Sequence, residues 1–512
     1  MTGDLVLGLD CSTTAAKAVV WTLTGESVSS GRASYGHSAP KPGWGEQDPL
    51  DWWKATVEAI GQACRQIDTS RLSALCITHQ RETFACLDTA GHALRPAMLW
   101  LDTRATAEVA DFGTDRVHQI TGKPPNTATS WYKLHWLARN EPRCLENTHR
   151  VVDVHSYLVH RLTGAWRTSY GSVDPLGVLD LRDFTLSSDL AGAVGLTPGH
   201  FPDLCAPGEV LGELRVDVAE LLGLTPGLKV VAGLGDGQAA GLGAGITRPG
   251  EAYLNLGTGI VSGTFSADYI TDRAFRTMTG GVPGTYLLET FFGGGTYNIN
   301  WFVEKFAGIA ARPFGLDISA EQILESAAAG LPAGSDGLLA LPYLTGVLTP
   351  YWDSNARGVL LGLSGRHGKA HMYRAILEGL AFEQRLSTVG AESVTGARTE
   401  RFLVMGGGSR SPLWCQIIAD ILGRPVEIAR EAEATCLGAG ILAAVGAGHY
   451  DSATTAAAAM SGVGRSYAPD PIQSEKYDRL FDIYKDIYPA LRDQFTRLRQ
   501  VTEAIGEADV RR

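Results

Sequence analysis

Residues 5–23, LVLGLDCSTTAAKAVVWTL, decide the fold class. The apolar run 5–10 is typical of a buried strand, the small polar residues after it of a tight turn, and the next apolar run of a second strand. The same order recurs in residues 252–265, AYLNLGTGIVSGTF. Between these two stretches, strand-like and helical segments alternate. We therefore predict an α/β fold with two related domains, each opening with a hairpin.

The bulk composition restricts the classes of function. The chain has 512 residues, which exceeds the usual size of one domain, and a formal net charge of −11 without a basic block. Such a chain is a poor partner for nucleic acids or membrane surfaces, and we expect neither. Its eight cysteines form no CxxC pair, and the first residues lack the pattern of a signal peptide. These features favour a reducing compartment and predict a cytoplasmic protein.

The restart of the pattern near residue 250 divides the chain. We predict one domain at residues 1–247, a second at 248–470 and a C-terminal amphipathic helix at 471–512. Apolar residues repeat at helical spacing through residues 477–498. We therefore expect this helix to dock on the body of the protein.

Two of the predicted turns carry groups that suit a phosphate. GLDCSTTAAK, residues 8–17, offers hydroxyls and backbone N–H groups beside the Asp10 carboxylate, which can hold Mg²⁺. NLGTGIVSG, residues 255–263, places Gly257 and Gly259 where the backbone can approach a ligand closely. The alternative for both is an ordinary hairpin turn.

A single acid marks the segment VVAGLGDGQAAGLGAG, residues 230–245. Asp236 follows an apolar strand and precedes a helix of small residues, which is where α/β proteins place catalytic groups. The alternative is a helix N-cap. The segment also matches GxGxxA of dinucleotide-binding proteins, but no acidic residue follows at the end of a clear second strand. An oxidoreductase that uses NAD is therefore one rival class.

A run of three glycines lies in LVMGGGSRSPLWCQIIADILGRPV, residues 403–426. A strand enters the glycines, and a helix follows at residues 412–422, with Gly423 as its stop. Consecutive glycines give a flat surface on which a planar base or ribose can lie.

Together these four segments resemble the FGGY family of carbohydrate kinases. SWYKLHWLARNEP, residues 130–142, is similar to an earlier signature of that family, with Lys133 and Trp136 in place. The resemblance covers nearly the whole chain. It implies a two-domain actin-like (ribonuclease H-like) ATPase fold, with a cleft between a sugar acceptor domain and a nucleotide domain. It also implies ATP and Mg²⁺ as cofactors and a small sugar or polyol as substrate.

The resemblance implies roles for individual residues. Asp236 matches the catalytic base, and Asp10 with Asp236 matches the acids that hold Mg²⁺. The residues that match nucleotide-binding positions are Thr13, Thr14, Lys17, Gly257, Thr258, Gly259, Gly407, Gly408 and Ser409.

The acceptor side gives conflicting indications. THQRETFACLD, residues 78–88, resembles the Gln-Arg-Glu motif by which glycerol kinases bind polyol hydroxyls. The predicted substrate-binding residues are Gln80, Arg81, Glu82, Trp100, Asp102 and Asp236. Against glycerol, Ala128 stands where the glycerol kinases have Tyr, and Gly237 stands where they have Gln.

The remaining sequence resembles the pentulose kinases, so we expect a pentulose such as xylulose as substrate. Glycerol and a tetritol such as erythritol stay open as alternatives, as does a homodimer. A nucleotide switch of the actin and chaperone type, without sugar kinase activity, is the rival of another class.

Overall fold

The computed structural model describes residues 3–308 and 319–510. The strands are β1 Leu5–Cys11, β2 Ala15–Thr22, β3 Ser27–Ser34, β4 Glu46–Gln47, β5 Leu72–His79, β6 Phe84–Leu87, β7 Ala97–Met98, β8 Arg150–Asp153, β9 Arg167–Ser169, β10 Leu179–Asp180, β11 Thr185–Leu186, β12 Asp203–Cys205, β13 Val210–Glu213, β14 Lys229–Gly235, β15 Glu251–Leu256, β16 Ile260–Ser266, β17 Arg276–Thr279, β18 Tyr286–Phe292, β19 Leu339–Leu341, β20 Val359–Leu361, β21 Arg401–Met405, β22 Val426–Ala429 and β23 Val463–Tyr467. The helices are α1 Pro49–Cys64, α2 Thr106–Phe112, α3 Asp115–Thr121, α4 Ser130–Asn140, α5 Pro142–Glu146, α6 Val154–Thr163, α7 Tyr170–Val173, α8 Ser188–Ala193, α9 Val216–Leu222, α10 Asp236–Gly243, α11 Gly295–Phe302, α12 Ala320–Ala329, α13 Lys369–Thr395, α14 Pro412–Leu422, α15 Ala434–Ala447, α16 Ala453–Met460 and α17 Pro471–Val510.

The first sheet has the order β13-β14-β5-β1-β2-β3. β1 and β2 form an antiparallel hairpin, β3 continues it, and β5 and β14 run parallel to β1. Nearly every residue of β1 and β2 is buried, because helices cover both faces of the central strands. The predicted strand at 5–10 is confirmed as β1. The second predicted strand is confirmed as β2, which begins at Ala15 and ends at Thr22.

The second sheet has the order β17-β18-β16-β15-β21-β22-β23. β15 and β16 form the predicted second hairpin, β18 continues it, and β21 and β22 run parallel to β15. The five central strands thus repeat the order and directions of the first sheet. We call residues 3–243 the N-terminal half and residues 251–510 the C-terminal half; the predicted boundary at 247/248 falls between them.

Two helices, α10 and α15, join the halves through backbone contacts. A methyl group added to Gly243 of α10 would overlap the carbonyl oxygen of Ala434, and one added to Gly438 of α15 would overlap that of Ala239. Glycine is therefore required where the two helices touch. On its other side, α15 packs on β1, where Gly8 lies against the carbonyl of Cys436.

The long helix α17 docks on α13, as expected from its apolar repeat. Tyr477 donates a hydrogen bond to Glu378 Oε1 at 2.8 Å, and Tyr484 donates one to Glu383 Oε1 at 2.5 Å. Both tyrosines are buried. The last two residues of the predicted segment 471–512 lie outside the described residues.

Candidate active site

The strand register of the first sheet brings the predicted acids to one edge. Asp10 of β1 pairs with Thr78 of β5, and Thr78 pairs with Leu234 of β14. The three strands are parallel, so the segments that follow them leave from the same edge of the sheet. Asp236, at the start of α10, therefore lies beside the loop that begins at residue 80.

A cavity of about 450 Å³ opens at this edge and is lined by both halves. Arg81, Glu82, Trp100 and Asp236, all predicted from the sequence, lie on its wall. The other lining residues are Leu101, Thr103, Asn126, Thr127, Ala128, Val261, Arg276, Glu289, Phe291, Leu348, Thr349 and Trp352. Its volume suits a small ligand of sugar size.

Asp236 is fixed on the cavity wall by one of its two carboxylate oxygens. Oδ1 lies 2.9 Å from Arg81 Nε and accepts the backbone N–H of Gly237 at 2.7 Å. Both described contacts use Oδ1, so Oδ2 is left for a ligand; the side chain is 40% exposed. The partly dehydrated wall raises the pKa of Asp236 above its ordinary value, and the Arg81 guanidinium opposes that rise.

A chain of ion pairs continues from Arg81 into the C-terminal half. Arg81 Nη1 donates to Glu289 Oε2 at 2.7 Å, and Arg276 Nε donates to Glu289 Oε1 at 2.6 Å. Arg276 Nη1 then returns to the N-terminal half, donating to Glu82 Oε1 at 2.6 Å. Five charged side chains thus form one network across the cavity.

Sequence reasoning missed Arg276 and Glu289. Each lies about 200 residues from the Gln-Arg-Glu segment, on β17 and β18, so no local motif connects them to the site. The available signal was the lone acid in the apolar strand YLLETFF, residues 286–292. A charge inside such a strand is buried only when it is paired.

Two predicted substrate residues, Gln80 and Asp102, lie behind the wall instead of on it. The Gln80 amide donates to Gln47 Oε1 at 2.9 Å. The Asp102 carboxylate accepts from Arg104 Nη2 and from the Gly45 N–H, both at 2.7 Å. Gln80 and Asp102 are at most 1% exposed, because their polar groups are satisfied within the protein.

Lys133 of α4 ties three segments of the wall together. Its ammonium donates to the carbonyl oxygens of Leu99 at 2.6 Å, Ala128 at 2.8 Å and Glu82 at 3.4 Å. The side chain is fully buried, and this burial lowers the pKa of Lys133 to about 7. The lysine of the earlier signature therefore shapes the cavity from behind.

Asp10 has the features of a cation ligand. Its Oδ1 is buried and has no hydrogen-bond partner among the described residues. Burial raises the pKa of Asp10 well above its ordinary value, and the nearby carboxylates of Asp236 and Glu433 add to this, while Lys17 opposes it. In residues 3–308 and 319–510 no three His, Cys, Asp or Glu side chains gather as a metal site. Two carboxylates nevertheless fit Mg²⁺, which takes one or two of them together with phosphate oxygens.

The hydroxyl turn of the first hairpin adjoins the cavity wall. Trp100 Nε1 donates to Thr13 Oγ1 at 2.9 Å, and Thr14 is exposed at the tip of the turn. Lys17, predicted to bind the nucleotide, forms an ion pair with Glu433 at the start of α15.

The two glycine loops of the C-terminal half are neighbours, since Asn255 pairs with Met405 on adjacent parallel strands. A methyl group on Gly257 or Gly407 would meet no protein atom closer than 3.4 Å. The protein itself does not require glycine at these two positions, whereas a closely approaching ligand does.

The other members of the loops have structural partners. A methyl group on Gly259 would meet the Phe291 ring at 2.7 Å, and one on Gly408 would overlap Trp414. Ser409 Oγ donates to the Gly406 carbonyl at 2.7 Å, while Thr258 is exposed.

Family models match most of the chain. The N-terminal domain model of the FGGY family of carbohydrate kinases matches residues 5–243, and the C-terminal domain model matches residues 252–447. The chain belongs to the FGGY family of carbohydrate kinases. This FGGY kinase is therefore a phosphotransferase, and the predicted two-domain actin-like fold is confirmed.

Individual relatives agree with this assignment over nearly their full length. The chain is 29% identical to the xylulose kinase of Bacillus subtilis, covering 96% of this chain and 98% of that protein. It is 25% identical to the gluconokinase of the same organism, covering 96% and 97%. The crystal structure of xylulose kinase from Rhodospirillum rubrum matches with a TM-score of 0.89 at 30% identity, covering 96% and 100%.

In the ranges that the structure describes, no helix of this FGGY kinase is both long enough and apolar enough to cross a membrane.

Proposed function

We propose that this FGGY kinase transfers the γ-phosphoryl group of ATP to a hydroxyl of a pentulose such as xylulose. The observation that carries the proposal is the position of Asp236. Its Oδ1 is fixed by Arg81 while its Oδ2 is available in a cavity of sugar size. The resemblance to proteins named xylulose kinases supports the choice of a pentulose.

Asp236 acts as the general base in this proposal. Its available oxygen accepts the proton of the attacking hydroxyl, while Arg81 holds the carboxylate in a fixed orientation. Glu82 and Arg81 read the remaining hydroxyls, because carboxylate oxygens accept from them and guanidinium groups donate to them. Gln80 and Asp102 support this wall from behind.

The nucleotide lies on the turns that present backbone N–H groups and hydroxyls. The first is the turn with Thr13 and Thr14, and the others are the glycine loops at 257–259 and 407–409. Lys17 is released from Glu433 to reach a phosphate. Mg²⁺, which neutralises phosphate charge when bound, would be held by Asp10 and Asp236. In this proposal residues 1–247 form the acceptor side, to which Arg276 and Glu289 of the other half are added. Residues 248–470 form the nucleotide side, to which the turn with Thr13 and Thr14 is added.

Other parts of the proposal rest on the sequence. We place the protein in the cytoplasm, with no nucleic-acid or membrane partner, and keep the homodimer as a prediction. Glycerol or a tetritol is the second candidate acceptor, favoured by the position of Arg81 and Glu82 on the cavity wall.

A coupled ADP-release assay with Mg-ATP tests the proposal. The acceptors are xylulose, ribulose, erythritol, threitol, glycerol and gluconate at matched concentrations. We expect one pentulose to give a kcat/KM well above the others. A tetritol or glycerol in first place would replace the pentulose, and ATP binding without ADP release on any acceptor would favour the nucleotide switch.

A further inference from the structure

The arginines of the acceptor cavity are already occupied by carboxylates of the chain. Arg276 contacts Glu289 Oε1 through Nε at 2.6 Å and Nη2 at 2.5 Å, and contacts Glu82 through Nη1. Arg81 Nε lies 2.9 Å from Asp236 Oδ1, and Arg81 Nη1 donates a hydrogen bond to Glu289. Five of the six guanidinium nitrogens are therefore engaged. A carboxylate on the acceptor would need these same donors, because a guanidinium binds a carboxylate through paired N–H groups.

Glu289 is the shared partner that occupies both arginines. It lies on β18, is 1% exposed and also accepts a hydrogen bond from the Tyr253 hydroxyl at 3.1 Å. Burial alone would raise the pKa of Glu289, but Arg276 and Arg81 lower it to about 2. The carboxylate is thus ionised throughout the neutral range. With Glu82 and Asp236 it gives the cavity three anions against two cations, a net charge of −1.

We propose that Glu289 is a specificity-determining residue, which closes Arg81 and Arg276 to anionic sugars and restricts the acceptor to uncharged polyhydroxyl compounds. The inference rests on the proposed function and deepens it. Hydroxyl groups of a ketose or polyol can donate to the carboxylate oxygens of the cavity. The carboxylate of an aldonate such as gluconate meets repulsion from three acids and finds five of the six guanidinium nitrogens already in contact with carboxylates of the chain.

Loss of this one charge should change the class of acceptor. In a Glu289→Gln variant the shape is nearly kept, but the cavity holds two cations and two anions. Both guanidinium groups lose their common counter-ion and can accept the carboxylate of an aldonate in its place. The preference therefore moves toward anionic acceptors.

The experiment compares kcat/KM for gluconate with kcat/KM for the best neutral acceptor. We expect the wild-type enzyme to favour the neutral acceptor. We expect Glu289→Gln to raise the ratio of gluconate to neutral acceptor by at least about tenfold, since a hydrogen-bonded ion pair is worth that much or more. Isothermal titration with gluconate alone, in the absence of turnover, should show binding to the variant and none to the wild type.

Glu251 provides a matched control within the C-terminal half. It is also a buried Glu shared by two arginines, with Oε1 at 2.8 Å from Arg248 Nε and 2.7 Å from Arg401 Nη2, but it lies outside the cavity. Glu251→Gln should leave the acceptor ratio unchanged. An equal change in both variants would overturn the inference.

Two further results test the exclusion of anionic sugars even if Glu289→Gln fails to fold. Gluconate should not compete with the neutral acceptor in the wild-type enzyme, and competition at similar concentration would overturn the inference. If the wild type releases no ADP with any acceptor, the proposed kinase reaction fails, and gluconate binding by titration to the wild type still decides the inference separately.

Discussion

The two halves of the molecule share one arrangement of strands but present different chemistry at matched strand ends. At the ends of β1, β5 and β14 the N-terminal half carries Asp10, the Arg81–Glu82 pair and Asp236. At the ends of β15 and β21, which correspond to β1 and β5, the C-terminal half carries glycine loops. At these matched strand ends the N-terminal half thus presents charged side chains and the C-terminal half presents bare backbone.

The proposed function accounts for this difference, because the two proposed ligands have different requirements. A sugar hydroxyl needs a base and specific acceptors, which only side chains supply. Phosphate groups and a flat base can be held by N–H groups and by surfaces without side chains. A duplicated framework can therefore divide the work of phosphoryl transfer between its copies, and the predictions below test that division.

Removal of the base should have the largest effect. We expect Asp236→Ala to lower kcat by about 10²–10⁴-fold, because proton transfer to a positioned carboxylate contributes that much. ATP affinity, measured by titration, should stay close to the wild-type value. Near-normal turnover would show that Asp236 is not the base. The N-terminal half would then lose its proposed chemical role.

Arg81→Ala should weaken the use of the acceptor more than the use of the nucleotide. We expect it to raise KM for the acceptor by about tenfold or more, while KM for ATP changes less, because Arg81 orients Asp236 and lines the cavity. Steady-state kinetics with each substrate varied in turn measures both constants. The opposite pattern would move Arg81 to the nucleotide side.

Gly407→Ala should produce the reverse selectivity. The nearest protein atom to the new methyl group lies 3.6 Å away, so folding tolerates it, while a nucleotide on the loop does not. We expect KM for ATP to rise by about tenfold, with an unchanged acceptor KM and melting temperature. Gly408→Ala is the comparison variant, since its methyl group would overlap Trp414 and lower stability as well. An unchanged ATP KM in Gly407→Ala would place the nucleotide elsewhere.

Gly243→Ala tests the contact between the halves. The methyl group would overlap the Ala434 carbonyl, so we expect a loss of about 1–3 kcal/mol in stability, seen as a lower melting temperature. Gly61→Ala is the matched control. Gly61 lies in α1, and a methyl group added there would have no neighbouring segment within 4 Å. The control should gain up to about 1 kcal/mol from helix propensity. Equal melting temperatures in the two variants would contradict the close contact.

Glu383→Gln should give the smallest effect and one that depends on pH. Burial raises the pKa of Glu383 from 4.5 to about 7, and the hydrogen bonds from Tyr484 and Tyr343 oppose that rise. Between these values the folded protein holds a proton that the unfolded chain has lost, so this stabilisation disappears as pH rises through 7. The variant lacks this titration. Between pH 5 and 8 its free energy of unfolding should therefore fall by on the order of 2 kcal/mol less than that of the wild type. If the melting temperatures of the two proteins change with pH in parallel, Glu383 is not a neutral carboxyl in the C-terminal core.

The sequence predicted those parts of the fold and site that depend on local patterns. Both hairpins, the helix at 412–422 and the docking of the last helix follow from apolar periodicity and from glycine and proline at their ends. Asp236 was found because it lies directly after a recognisable strand, and Arg81 and Glu82 were found because they match the Gln-Arg-Glu motif, which also follows a strand. Such positions converge at one sheet edge whatever the remaining sequence.

The sequence could not predict contacts between distant segments. Glu289 and Arg276 enter the cavity only because β17 and β18 fold over the loop after β5. Asp102 was placed on the wall because its polar side chain suits a sugar, but Arg104, two residues away, keeps it behind the wall. Which polar groups face a ligand and which satisfy each other is decided by tertiary packing.

The backbone contact between α10 and α15 has a consequence for how this protein can change. A side chain at Gly243 or Gly438 would overlap a main-chain carbonyl of the opposite helix. A substitution in that helix changes only a side chain, so it cannot remove the overlap. A selection for second-site suppressors of a Gly243 variant should therefore return true revertants or changes that shift a whole helix. Any chimera that exchanges one half for that of a relative must therefore keep glycine at both contact positions, one in each half.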